Sequence, residues 1–145
     1  MNTISQNLKF LLNISKTQAV LVKHFDKGMG NGIGFNEFLI LFYLNQSDDQ
    51  KMRRVDLAEK IGVTASGVTR MLLPMEKIGL IKNGLVSNDA RVRLVSLSES
   101  GKQKFSDALE RLEFLVKDIF SDVNKNEIKN FSNLLIGVGG KILMS

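Results

Sequence analysis

The chain has 145 residues, 43% of them hydrophobic and 24% charged, with a net charge of +5 and a mean hydropathy of +0.00. These values fit one folded domain and argue against disordered and membrane-spanning classes, since the longest apolar run, Phe38 to Leu44, is far shorter than the ~18 residues that cross a bilayer. With no cysteine and a single histidine, His24, disulfides, thiolate metal sites and cysteine redox sensing are excluded, and no metal or other cofactor is expected.

From Ile4 to Phe25 the apolar residues Ile4, Leu8, Leu11, Ala19, Val22 and Phe25 recur three and four apart, which predicts a helix. The cluster Gly28, Gly30, Gly32 and Gly34 ends that helix. A phosphate-cradling loop is the other reading of these glycines, but no Gly-Lys-Ser/Thr follows and no strand precedes. Phe35 to Leu44 reads as a second, mostly buried helix, and Asn45 to Gln50 as a polar loop.

The stretch from Asp56 to Met71 carries the requirements of a helix-turn-helix. Ala58 is small where the second helix crosses the first, Gly62 tolerates φ > 0 in the turn, and Val68 faces inward from the second helix. Leu57, Ile61, Val63 and Met71 complete the expected buried seam, and Thr64 is a good N-cap. Helical spacing turns Val68, Met71, Leu72 and Met75 inward, and leaves Ala65, Ser66, Thr69 and Arg70 on the exposed N-terminal half. Short polar residues with one Arg suit a helix that enters a major groove. Two packed helices with no such role would show the same seam. Pro74 falls inside the second helix, where it removes a backbone hydrogen bond and predicts a kink.

Two strands follow, Leu80 to Lys82 and Val92 to Leu97, around a hairpin tip at Ser87-Asn88-Asp89-Ala90. Arg91, Arg93, Val95 and Leu97 share one strand face, apolar at its inner half and cationic at its outer half. The fold class is therefore mainly α with a small β-wing: a winged helix-turn-helix. Ser98 is the expected N-cap of a long helix bearing Phe105, Ala108, Leu112 and Ile119. Asn124 and Glu127 have capping-box spacing before a last helix with Phe131, Leu134, Val138, Ile142 and Leu143. So apolar a final helix leaves an exposed patch on a monomer, for which pairing with a second subunit is the natural remedy.

The charge is unevenly placed. Residues 51–104 hold eleven Lys and Arg against five Asp and Glu, a net of +6, while the rest of the chain is near neutral. A solvated basic face and a polyanion-binding module both fit that distribution.

The motif "VDLAEKIGVTASGVTRMLLPMEKIGLI", followed by "SNDARVRLVSLSESG", resembles the MarR family of bacterial transcription regulators across residues 52–104. The resemblance implies a single domain over 1–145, with a winged helix-turn-helix at 33–97 and dimerisation helices at 1–27 and 98–145. Ile4, Leu8, Leu11, Val138, Ile142 and Leu143 then belong to the dimer interface. It implies that Asp89 and Arg91 form the family's wing-tip Asp-x-Arg, with the Arg entering a minor groove. Ser66, Thr69 and Arg70 come to lie on the recognition helix, with Ala65 at its start and Arg93 in the wing. Asn83-Gly84 departs from the family, which often carries basic residues there. Arg54 stands where a capping Ser or Thr is expected, and reads either as a phosphate contact or as a plain solvent-exposed side chain.

The expected function is that of a homodimeric, sequence-specific regulator binding pseudo-palindromic double-stranded DNA, a repressor released by a small aromatic effector. His24, Phe25 and Tyr43 are candidate effector contacts, against the plainer reading of a surface histidine and two core aromatics. A winged-helix protein-interaction adaptor is the alternative. No enzyme is expected, because no Ser-His-Asp grouping or metal-ligand spacing appears. The N-terminus shows no basic stretch before an apolar block, so a cytoplasmic location is expected, with no membrane partner.

Overall fold

The computed structural model describes residues 2–30, 32–86, 88–89 and 91–145 (for 85 and 86 the backbone), so Asn31 of the glycine cluster and Ser87 and Ala90 of the hairpin tip lie outside the described residues. Its elements are α1 (Gln6–Met29), α2 (Phe35–Gln46), a short 3-10 turn (Asp48–Gln50), β1 (Lys51–Arg53), α3 (Arg54–Ile61), α4 (Ala65–Lys77), β2 (Ile81–Val86), β3 (Arg93–Leu97), α5 (Glu99–Ile119) and α6 (Lys125–Leu143). The chain is mainly helical with one small antiparallel sheet, as the sequence pattern predicts, and the strands of that sheet run in the order β1-β3-β2. It divides into two compact units, Met1–Leu112 and Glu113–Ser145. Among the described residues no helix is long and apolar enough to cross a membrane.

In the first unit, α1 starts at Gln6 rather than Ile4, because the Ser5 hydroxyl accepts from the Leu8 N–H at 3.1 Å and caps it. It ends at Met29 rather than Phe25. Phe25 and Met29 are both buried, and this anchors the last turn, while the Arg111 Nε donates to the Gly28 carbonyl at 2.8 Å. Gly30 at φ +66 is the residue that stops the helix. Asp26 then caps the next element, its Oδ1 accepting from the Phe35 N–H at 2.7 Å. Aromatic rings run from α1 through α2 to α5: Phe25 stacks on Phe35 at 5.7 Å and Phe38 on Phe105 at 5.6 Å. Beneath them Leu41, Leu44, Leu57, Leu72 and Val95 are fully buried.

Strand β1 has no counterpart among the elements expected from the sequence. Three residues are too few for a period-two pattern, and only pairing with β3 makes them a strand, with Met52 opposite Val95. Because β3 is the central strand, Val95, Ser96 and Leu97 are buried in succession rather than in alternation.

In the second unit, α6 is capped by Asn124, whose Oδ1 accepts from the Asn126 N–H at 2.7 Å. The cap thus closes one residue earlier than the predicted capping box. No described residue of α6 is buried, and Phe131, Leu134, Leu135, Ile142 and Leu143 are exposed.

Candidate nucleic-acid interface

The helix-turn-helix follows from three local facts. Gly62 takes φ +86 and donates to the Ala58 carbonyl at 2.8 Å, and Val63 donates to the same carbonyl at 3.1 Å. A side chain at Gly62 would meet strain in this left-handed conformation. Ala58 and Val68 are buried at the crossing, as expected. The Thr64 hydroxyl accepts from the Gly67 N–H at 3.0 Å and opens α4. The expected seam is corrected at three places: Val63 is exposed, and Ile61 and Met71 are only half-buried. Val63 lies against Gly67 at the turn, beside the start of the second helix.

Helix α4 runs through Pro74 without interruption. The exposed proline sits in the last turn, so the carbonyl it leaves unpaired, that of Arg70, is within reach of water. Val68, Leu72 and Met75 face the core, and Ala65, Ser66 and Arg70 are exposed. Thr69 is half-buried and donates to the Ala65 carbonyl at 3.1 Å. The Ser66 and Thr64 hydroxyls lie 3.2 Å apart. Leu73 was not singled out in the sequence. It is 56% exposed, and at about 100° per residue it falls at the centre of the face formed by Ser66, Thr69, Arg70 and Lys77. Its apolar character suggests the core, but with Leu72 turned inward the next residue, about 100° around the helix, faces outward.

At the wing tip Asp89 holds Arg91. Its Oδ1 accepts from the Arg91 backbone N–H at 3.0 Å and from Nε at 3.2 Å, and its Oδ2 accepts from Nη2 at 3.3 Å. The Arg91 hydrogen bonds hold the Asp89 carboxyl below the usual carboxylate range. The Arg91 side chain is nonetheless 90% exposed. Arg93 is exposed on β3, above the buried Val95 and Leu97 of the same face. Arg54, which opens α3, is neither a capping group nor a plain solvent-exposed side chain. It is half-buried, and its Nε and Nη2 donate to Asn83 Oδ1 at 3.1 and 2.8 Å.

Residues 35–92 match the MarR family. Among solved structures, the transcriptional regulator BldR from Sulfolobus solfataricus is 27% identical, with a TM-score of 0.82 over 94% of this chain and 99% of that one. The chain is thus similar to MarR-family winged-helix transcriptional regulators, in sequence over the helix-turn-helix and wing and in fold over nearly its whole length. An uncharacterized HTH-type transcriptional regulator of Bacillus cereus is 33% identical over 61% of this chain and 59% of that protein. Sco3205, a MarR family transcriptional regulator from Streptomyces coelicolor whose crystal structure is in complex with DNA, shares the fold at 17% identity, with a TM-score of 0.82 over 96% of this chain and 90% of that one.

Ile4, Leu8 and Leu11 are exposed in the first unit, and Ile142 and Leu143 are exposed and Val138 half-buried in the second. His24 is a surface residue whose ring meets Phe25 edge-on at 5.5 Å, while Phe25 itself is core, only 3% exposed. Tyr43 is half-buried and lines an open groove of about 560 Å³ with Ser47, Lys51, Arg53, Asp56 and Lys60. That groove includes neither His24 nor Phe25, so the three effector candidates do not share it. Within the groove Arg53 Nε and Nη2 grip Asp56 at 2.8 and 2.9 Å, and this holds the Asp56 carboxyl below its ordinary range.

Proposed function

We propose that this protein is a MarR-family transcriptional regulator that acts as a homodimer, reads pseudo-palindromic double-stranded DNA, represses transcription there, and is released by a small aromatic effector. The observation that carries the DNA reading is the wing tip. An ion pair this exposed adds little to the stability of the fold. Its physical consequence is instead to present a guanidinium with fewer conformations left to lose on contact with a groove. On α4, Arg70 meets no partner among the described residues, and Ser66, Thr69 and Leu73 flank it. An Arg can bond a guanine edge, short hydroxyls either base type, and a leucine the thymine methyl.

Dimerisation is supported by two exposed apolar surfaces: Leu8, Leu11 and Leu12 along α1, and Phe131, Leu134, Leu135, Ile142 and Leu143 along α6. Two subunits place two reading helices in successive major grooves, with half-sites about 10 base pairs apart. Effector binding is supported by the aromatic row, whose half-buried members Phe35 and Phe42 leave ring surface on which a flat molecule stacks. Of the candidates, His24 and Tyr43 offer accessible surface to such a molecule, while the buried Phe25 supports the ring of Phe35 from below.

Selection of bound duplexes from a random library, followed by anisotropy titration over salt, tests the reading. The expected product is a two-fold symmetric site whose log affinity falls linearly with log salt. Absence of binding to any duplex at low salt sinks it.

A further inference from the structure

The wing carries an irregularity that the two other elements of the reading head hold from both sides. Strand pairing shifts between Lys82 and Leu85, and Gly84 takes φ +79. A bulge of this kind bends the strand and releases a backbone donor from the ladder. Here the donor is the Asn83 N–H, which bonds Glu76 Oε2 at 3.1 Å, from the last turn of α4. The Asn83 side-chain oxygen meanwhile takes both donors of Arg54, the first residue of α3, 29 residues earlier in the chain. One residue of the wing is thus tied by its backbone to α4 and by its side chain to α3.

The bulge is also the point at which the outer part of the wing departs from regular pairing. Beyond it β2 continues to Val86, which pairs with Arg93. Leu94 is the last residue of β3 paired on both sides, with Arg53 and Leu85, and Arg91 lies three residues beyond it. At ~3.3 Å per residue that is about 10 Å further out, so a rotation of about 15° there moves Arg91 by about 3 Å, the length of a hydrogen bond. We propose that Arg54 and Asn83 are positioning residues that fix the angle at which the wing leaves the helix-turn-helix, and hence the spacing between the wing guanidiniums and the reading face of α4. The proposal rests on the DNA-binding reading above. It assigns to the non-basic Asn83-Gly84 step a role in aiming the wing, where a basic residue would grip phosphate directly.

The test is a double-mutant cycle on the selected duplex. Asn83→Ala is expected to weaken binding by about fivefold to tenfold in the otherwise unchanged protein, and by less than about twofold on an Arg91→Ala/Arg93→Ala background, because a wing without its guanidiniums has nothing left to aim. Arg54→Lys keeps the charge but lacks the two-donor fork, and is expected to match Asn83→Ala. Additive losses in the cycle, or full affinity in Arg54→Lys, overturn the proposal, since both are the behaviour of direct phosphate contacts. Hydrogen exchange without DNA gives the second readout. In Asn83→Ala the Arg93 and Leu94 amides are expected to exchange about tenfold faster, while Phe105 and Ala108 in α5 stay unchanged. Unchanged exchange at Arg93 and Leu94 also overturns it. If the unaltered protein binds no duplex, the DNA reading fails and the exchange measurement alone decides the clamp.

Discussion

Gly101, in the first turn of α5, lies directly on the carbonyl of Leu80: a Cβ placed there overlaps that oxygen and comes within 2.8 Å of Leu97 Cδ1. Ser98 draws the two together. Its backbone N–H donates to the Leu80 carbonyl at 3.1 Å, and its hydroxyl donates to the Gly79 carbonyl at 2.6 Å and accepts from the Gly101 N–H at 2.9 Å. In an open helix Gly→Ala adds ~1 kcal/mol of stability. Here the sign reverses, because the obstacle is backbone, and Gly101→Ala is expected to cost about 1–3 kcal/mol. Urea unfolding measures it, and an unchanged or raised midpoint contradicts the close approach.

Gly137 is the control for that reversal. It lies in the interior of α6, where a Cβ would find nothing within 4 Å and the backbone is already helical. Gly137→Ala is expected to stabilise the chain by up to ~1 kcal/mol, through helix propensity alone. A thermal melt in which it lowers the midpoint shows that a partner surface already fills that space.

Much of this architecture is legible in the sequence where one residue has one physical job. Gly62 is needed for a left-handed turn, Thr64 for a cap and Ala58 for a crossing, and all three stand in those roles. Strand β1 is not legible, since Lys51–Arg53 becomes a strand only through non-local pairing with β3. The end of α1 is misread for a related reason: Gly28 looks like a terminator, but burial of Phe25 and Met29 and a hydrogen bond from Arg111 keep it helical. Arg54 is the clearest case. Its partner Asn83 is far away in sequence, and neither residue alone announces the other. The reading face was legible by helical spacing, except at Leu73, whose apolar character pointed to the core.

Thr64 provides a test of how much the reading helix depends on its first turn. Its hydroxyl satisfies the Gly67 N–H, one of the donors a helix start leaves open. Thr64→Ala is expected to cost about 0.5–2 kcal/mol of stability. DNA affinity should fall with it, because Ser66 and Arg70 sit on the turns that fray. Thr64→Ser retains the acceptor and is expected to restore both. A Ser variant as weak as the Ala variant, in melts and in anisotropy, would show that the threonine acts through its methyl instead.

The wing pair sets a pH window. Arg91 lowers the Asp89 pKa, through its side-chain hydrogen bond first and its backbone N–H second. With the folded pKa below the unfolded one, the pair is complete above the unfolded value and is lost as pH falls through the folded value. Wing geometry is therefore expected to stay constant from about pH 8 to about pH 5 and to change only below the ordinary Asp range near ~3.9. A carboxyl carbon titration by NMR reads this directly, and an Asp89 midpoint at or above the ordinary value contradicts the pairing.

Arg70 and Arg91 carry the same charge in different settings, so their losses are expected to differ in kind. Arg70 stands without a partner among the described residues on the face of α4, free to form both bonds to one base edge. Arg91 shares its donors with Asp89 and so offers a charge more than a fork. Arg70→Ala is expected to cost ~1–3 kcal/mol on the preferred duplex and to relax the preference at one position per half-site, because a bidentate contact discriminates among bases. Arg91→Ala is expected to weaken preferred and scrambled duplexes alike and to reduce the salt slope by about one per subunit. Affinity measured on a panel of single-base variants at several salt concentrations separates the two patterns. A uniform loss from Arg70→Ala, or a base-specific loss from Arg91→Ala, would exchange the roles of the reading helix and the wing.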